Sequence, residues 1–312
     1  MDINRYTPHY SLNKKHMTRL ADYSTEELFE ILYATRQMKA KFAAHENTNL
    51  LQGVTIALLF GDGSLRTRSA LQIGIKQLGG DSVDLPYNEN DLRYGENIDD
   101  LFNVLYRYDI GALVTRGIPQ KDLERFEKLV PITILNSSNA DCVPMQAVSD
   151  LYTIWEKKKK LEGLKLAYIG KGCNVEASLV MGAVKCGMQV AIANPDAYPL
   201  KDEHLKKAEQ YGTIEVTDDP MLAAKNADII YTNSYSYHRA TDPEEAEIMA
   251  PYKVNNRIMA QASGTALFMH PLPARRGVEV TADVIDGKQS IVYDQAENKL
   301  HAIKAIMALL IK

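Results

Sequence analysis

After the apolar run Gly-Val-Thr-Ile-Ala-Leu-Leu-Phe (residues 53–60), the chain reads Gly61-Asp62-Gly63-Ser64-Leu65-Arg66-Thr67-Arg68. A short continuous apolar run suits a buried strand, and Leu71, Ile75 and Leu78 recur at helical spacing beyond it. The eight residues therefore sit where a strand hands over to a helix. At such a point the first backbone N–H groups of the helix lack partners and the macrodipole is positive. Ser64, Thr67 and Arg66 add two hydroxyls and a guanidinium, and the combination is an anion cradle suited to phosphate. Spacing alone is equally compatible with an ordinary capped helix carrying two surface arginines.

A second stretch, Met269-His270-Pro271-Leu272-Pro273-Ala274-Arg275-Arg276-Gly277-Val278-Glu279-Val280, follows another short strand. Its two prolines stiffen the backbone and hold neighbouring carbonyls extended, where they accept hydrogen bonds from a small amide-like group. His270 taken by itself reads more simply as a buried, satisfied histidine. A third stretch, Gly170-Lys171-Gly172-Cys173-Asn174-Val175, follows a strand, and Asp196 ends the next. This is the outline of a dinucleotide site, but Val175 takes the place of the small residue that lets helix and strand approach closely. A nucleotide-dependent oxidoreductase is accordingly the weakest reading.

The elements that must position these residues alternate. β-Branched and aliphatic segments alternate with longer amphipathic ones, the pattern of parallel sheets covered by helices. A first helix is expected over 24–42, opened by a capping box of Ser24 and Glu27. Strands are expected over 53–60, 82–85, 110–115 and 132–135, with helices over 98–108 and 120–129. A long helix over 144–163 bridges to a second half that opens with strand, Gly-rich turn, helix and strand. Further strands are expected over 228–232 and 266–269, and a closing helix over 297–310. The fold class is thus α/β, two doubly wound parallel-sheet domains joined by long helices. The expected division is 1–148 for the first, with 297–312 packing back on it, and 149–296 for the second.

At 312 residues, with 46% hydrophobic and 24% charged, the chain has room for two cores and no disordered or collagen-like bias. The balance of 36 Lys+Arg against 40 Asp+Glu, a formal charge of −4, lacks the cationic footprint of a nucleic-acid binder. Small molecules are the expected partners. No apolar run of about 18 residues and no secretory leader is visible, so no membrane partner and a cytoplasmic location are expected. Cys142, Cys173 and Cys186 form no CxxC pair and read as reduced thiols. Residues 157–160, four lysines, read as a solvated helix end.

In order along the chain stand Ser64 to Arg68, Leu78-Gly79-Gly80, Gly95-Glu96, Arg116, Pro144-x-Gln146, His270-Pro-Leu-Pro and Ala296-Glu297-Asn298. With these the sequence resembles the aspartate/ornithine carbamoyltransferase family over nearly its whole length. Its closing Ala-Glu-Asn-Lys stretch is nearest the ornithine branch. The resemblance implies transfer of the carbamoyl group of carbamoyl phosphate to an amine, with ornithine as the default acceptor. It also implies a homotrimer whose donor site is completed by a neighbouring subunit, and no cofactor or metal. By the same resemblance Ser64, Leu65, Arg66 and Thr67 bind phosphate, and Arg116 touches phosphate and carbamoyl oxygen. Gln146 meets the donor amide, the carbonyls of Pro271 and Leu272 receive its NH₂ group, and Arg116, Gln146 and His270 are the expected catalytic residues. Asn174 meets the acceptor carboxylate, with Asn233, Tyr237 and His238 as acceptor contacts between the domains and Lys299 at the donor.

The departures from the family pattern fall at the same places. Val143 replaces the histidine of His-Pro-x-Gln, Leu65 replaces a threonine of the phosphate turn, and Lys299 replaces an arginine, trading a planar fork for a point charge. On the acceptor side Lys171 replaces an aspartate, Asn233 stands where the ornithine branch has an aspartate, and Pro271 replaces a cysteine. The aspartate branch matches no better, since Arg275 lies one place late for its motif. A binding or regulatory relative that has lost the chemistry is therefore the alternative to an active carbamoyltransferase.

Overall fold

The structure is a computed structural model that describes residues 3–9, 11–61, 64–86, 97–235 and 242–311. Gly95, Glu96, Tyr237 and His238 lie outside the described residues. Two compact units divide the chain: Ile3–Tyr152 with Asn298–Lys312, and Thr153–Glu297.

In the first unit helix α1 (Thr25–Ala43) opens on the capping box. Glu27 N–H donates to Ser24 Oγ at 3.1 Å, and Ser24 N–H donates to the Glu27 carboxylate at 2.9 Å. The next elements are β1 (Thr55–Phe60), α2 (Leu65–Gln77), β2 (Asp81–Pro86), α3 (Ile98–Arg107), β3 (Ile110–Arg116), α4 (Gln120–Leu129), β4 (Thr133–Ser138) and α5 (Pro144–Lys158). The strands are parallel in the order β2-β1-β3-β4. Ile56 through Phe60 are all buried, because helices cover both faces of a parallel sheet and no alternation survives. Phe102 of α3 stacks on Phe126 of α4 at 3.8 Å within the core on one face.

The second unit carries β5 (Lys165–Ile169), α6 (Asn174–Lys185), β6 (Gln189–Ala193), α7 (Asp202–Ala208), β7 (Ile214–Thr217), α8 (Pro220–Ala224) and β8 (Ile229–Tyr231). There follow α9 (Pro243–Met249), α10 (Asn256–Met259), β9 (Leu267–Met269), α11 (Ala282–Ile285) and the start of α12 (Val292–Leu310). These strands are also parallel, in the order β7-β6-β5-β8-β9. Ile169, Ile230 and Phe268 anchor its core.

Both sheets reverse direction once. The first chain segment adds β2 on one side of β1 and then crosses to place β3 on the other. The second adds β6 and β7 on one side of β5 and then crosses to β8. In open α/β sheets the crevice at the carboxyl ends of the strands flanking such a reversal is where ligands bind. Those crevices lie between β1 and β3 and between β5 and β8.

Three expectations change. Helix α5 stops at Lys158, short of Gly163, because Lys159 turns into the left-handed region at φ 62°. The lysine run stays at the solvated helix end as expected, with Lys157 paired with Asp294 at 2.5 Å, Lys158 donating to the Thr265 carbonyl, and Lys159 5.8 Å over the Trp155 ring. Helix α12 begins at Val292, not at residue 297; its first turns bury Gln295, a polar residue that hydrophobic spacing does not register. Strand β7 has no counterpart among the expected strands, since it lies at the sheet edge with Glu215 and Val216 exposed. Among the described residues no helix is long and apolar enough to cross a membrane. The three cysteines are free thiols.

Candidate active site

At the first reversal, Phe60 and Arg116 are register partners at the ends of β1 and β3, and Gly61 N–H donates to the Arg116 carbonyl at 3.0 Å. Strand pairing alone thus sets Arg116 beside the turn that opens α2. Ser64 is the N-cap of α2, yet its side chain makes no capping bond, so the hydroxyl does not consume the first-turn N–H groups. Leu65 is 81% exposed and Arg66 is exposed on the same turn. Arg68 is turned elsewhere, paired with Asp84 and lying 5.2 Å over the Phe60 ring. It therefore serves the sheet edge, and Arg66 carries the charge of the turn.

Thr67 is buried, and its Oγ1 accepts from Lys299 Nζ at 2.9 Å, joining α12 to the turn. Burial, with Arg116 and Arg66 nearby, holds the Lys299 ammonium down to about 8, against the opposing pull of Asp150. Lys299 thus lies buried beside two guanidiniums, a gathering of positive charge that suits a dianion. Gln146, buried on α5, donates from Nε2 to Asp150 Oδ1 at 2.7 Å. Asp150 thereby fixes the amide and tempers the cations together.

At the second reversal the loop after β5 is tied down from three directions. Asn194 Nδ2 donates to the Gly170 carbonyl at 2.8 Å and to Glu176 Oε1 at 3.1 Å, and Cys173 N–H donates to Glu176 Oε2 at 3.3 Å. Burial pushes the Glu176 carboxyl well above the usual carboxylate range. Gly172 N–H bonds the Tyr198 carbonyl at 2.9 Å, and a methyl at Gly172 would overlap the Pro199 backbone. Gly172→Ala is therefore expected to destabilise the protein by about 1–3 kcal/mol. A urea midpoint equal to that of the parent would contradict it.

This loop places Asn174 as the first residue of α6, at a helix N-terminus of the kind that favours negative charge. Asn233, buried after β8, donates from Nδ2 to Cys173 Sγ at 3.5 Å. Lys171, in the aspartate position, is engaged with Glu245 at 2.6 Å and lies 4.0 Å over the Tyr198 ring.

Beside β8, strand β9 leads into His270, whose imidazole is fully buried. His270 Nδ1 accepts from Leu272 N–H at 2.9 Å, and its backbone N–H donates to Gln295 Oε1 at 2.9 Å. Nε2 stands 3.3 Å from Glu279 Oε1 but lacks the alignment of a hydrogen bond. Ser234 Oγ donates to the Pro273 carbonyl and, at 3.2 Å, to Glu279, which also accepts from Arg275 N–H. Leu272 has φ 55° and precedes a cis bond to Pro273, a conformation this network holds in place.

Family models match both halves: residues 15–156 match the carbamoyl-P binding domain of aspartate/ornithine carbamoyltransferase, and residues 162–310 match its Asp/Orn binding domain. The chain belongs to the aspartate/ornithine carbamoyltransferase family. The ornithine carbamoyltransferase of Pyrococcus abyssi is 38% identical over 308 residues, covering 96% of this chain and 97% of that protein. That of Geobacillus stearothermophilus is 39% identical over 304 residues, covering 95% and 97%. The structure of the Pyrococcus furiosus ornithine carbamoyltransferase superposes with a TM-score of 0.90 at 38% identity, covering 96% of this chain and 98% of that one.

Within this carbamoyltransferase fold, Ser64, Leu65, Arg66, Thr67, Arg116, Gln146 and Lys299 all belong to the first unit, and Thr67, Lys299, Arg66 and Arg116 interact there. Asn174, Asn233, His270, Pro271 and Leu272 follow the strands of the second unit. Several supporting residues were not singled out by sequence: Asp150, Ser234, Glu279 and Gln295, all buried. Thr232, directly after β8, is a fully buried hydroxyl without a hydrogen-bond partner among the described residues. A hydroxyl at a strand's carboxyl end was its signal. Asp150 shows only as a polar residue inside a largely apolar stretch, and Ser234, Glu279 and Gln295 lie among other polar residues with nothing to mark them as buried.

Proposed function

We propose that the protein transfers the carbamoyl group of carbamoyl phosphate to the side-chain amine of ornithine, giving citrulline and phosphate. The phosphate sits on the N-terminus of α2, held by Ser64, the Leu65 backbone, Arg66, Thr67 and Lys299. Arg116 reaches the carbamoyl oxygen, Gln146 and the carbonyls of Pro271 and Leu272 orient the amide, and Asn174 takes the acceptor carboxylate with Asn233 near its α-amino group. His270 acts as a positioning residue, because its buried ring fixes the Leu272 N–H.

The amine attacks as a free base. Charge then gathers on the carbamoyl oxygen, and preorganised cations lower that barrier most where water is excluded. The leaving phosphate accepts the proton that the amine sheds. What carries this reading is the cationic cluster of Arg66, Arg116 and Lys299 at the β1/β3 reversal, a site built for a dianion. The names of the relatives favour ornithine. No observation favours the non-catalytic alternative.

The test offers carbamoyl phosphate with ornithine, putrescine, lysine or aspartate and follows phosphate together with ureido product. Ornithine is expected to lead in kcat/KM by about 10²-fold or more, since buried polar groups left unpaired by the wrong amine discriminate strongly. Absence of turnover with every amine overturns the enzymatic reading. We also propose a homotrimer with shared donor sites, which light scattering showing a monomer under assay conditions would refute.

A further inference from the structure

We propose that Lys299 is itself a carbamoylation site: with no acceptor amine present, its Nζ attacks the carbamoyl carbon of the bound donor. The inference rests on the donor-site reading above and adds a modification of the protein to it. Lys299 is a primary amine inside the donor cradle, 2.9 Å from Thr67 Oγ1 in the phosphate turn. The groups that face it are Arg66 from α2, Arg116 from β3 and Asp150 from α5, the last bonded to the Gln146 amide. It therefore lies among the groups assigned to both ends of carbamoyl phosphate. An arginine in this place would have no nucleophilic nitrogen at neutral pH.

The step balances without a further reactant. A bond forms between Nζ and the carbamoyl carbon, the bond from that carbon to the phosphate oxygen breaks, and one Nζ proton leaves with the phosphate. Lys299 becomes a neutral ureido side chain, and the site loses a cation. Transferase activity should fall in step.

Reactivity requires the neutral amine. With its ammonium held down to about 8, Lys299 is neutral in about a quarter of molecules near pH 7.5, against roughly one in a thousand for an ordinary lysine. That value belongs to the site without donor, where both guanidiniums already act on Lys299, so the two negative charges of a bound donor raise its ammonium above it and slow the step without removing the neutral amine. Labelling should accordingly rise with pH, with its midpoint above about 8, and then level off.

The experiment incubates the full chain with carbamoyl phosphate alone and maps mass gains of one HNCO by peptide mass spectrometry. A second arm uses cyanate, the breakdown product that modifies lysines without a site, and a third adds excess inorganic phosphate. Expected is labelling of Lys299 at least about tenfold faster than any other lysine, suppressed by inorganic phosphate, with activity lost in proportion. The Lys299→Arg variant should show no progressive loss. Equal labelling of Lys299 in the carbamoyl phosphate and cyanate arms, or no labelling of Lys299 while ornithine is still turned over, overturns this inference alone. Failure of carbamoyl phosphate to bind, read by calorimetry, overturns the donor-site reading with it.

Discussion

Arg116→Met is expected to lower kcat by about 10²–10³-fold, the loss seen when one donor to a developing oxyanion is removed. The methionine keeps the length and bulk of the side chain but supplies neither charge nor N–H. The backbone role survives, because Gly61 N–H bonds the Arg116 carbonyl and the β1/β3 register is made by the main chain. The loss should therefore appear in kcat with the fold intact. A second readout is electrostatic. Arg116 is among the groups that depress the Lys299 ammonium, so its removal should move that lysine's titration upward from about 8. Steady-state assays of citrulline formation check the first effect, and the pH profile of Lys299 labelling checks the second. A variant within threefold of the parent would exclude Arg116 from contact with the reacting atoms.

The residues proposed to touch ligand are more legible in the sequence than those that hold them. The Ser64–Arg68 turn announces itself because a helix N-terminus, two hydroxyls and a guanidinium follow a fully apolar strand, and parallel sheets buried on both faces write such strands as unbroken runs. Arg116 was found through resemblance. Its pairing with Phe60 across the sheet, which sets it beside the turn, depends on strand order, and strand order is a long-range property. The Ser24 capping box is local and was read at full accuracy. Gln295 was hidden for the opposite reason: it is a polar residue on a buried helix face, and the pattern that marks helices counts apolar residues. Hydrophobic spacing consequently placed the start of α12 late. Lys299 shows the limit most clearly. Sequence gives its chemical type, whereas its lowered ammonium comes from burial and from Arg116 and Arg66 on other elements, against the pull of Asp150.

Glu279→Ala is expected to cost about 3–5 kcal/mol of stability, the toll of removing one partner from a buried charged network. Glu279 is fully buried and accepts from Ser234 Oγ and from the Arg275 N–H, with His270 Nε2 at 3.3 Å. Alanine leaves the Arg275 N–H without its acceptor, whereas Ser234 Oγ keeps only the Pro273 carbonyl. Burial alone would raise this carboxyl, but the neighbouring His270 and the Arg275 N–H outweigh it and hold it below its ordinary value. A carboxylate lowered in the folded state contributes stability above its unfolded value and loses it as the pH falls through the folded one. The parent should thus lose this contribution as the pH falls from the ordinary carboxylate value through the lowered folded one, and the difference between parent and variant in urea midpoint should narrow there. Glu279→Gln separates fold from function. It keeps the volume and one acceptor oxygen, so it should fold. The Leu272 and Pro273 backbone would nevertheless be held less firmly, and a misplacement near 1 Å costs about 10²-fold in rate. The expected signature is a folded Glu279→Gln protein with depressed kcat and a near-parental affinity for inorganic phosphate, because the phosphate turn belongs to the other unit. Full activity in Glu279→Gln would show that the His270 loop holds its geometry without the charge.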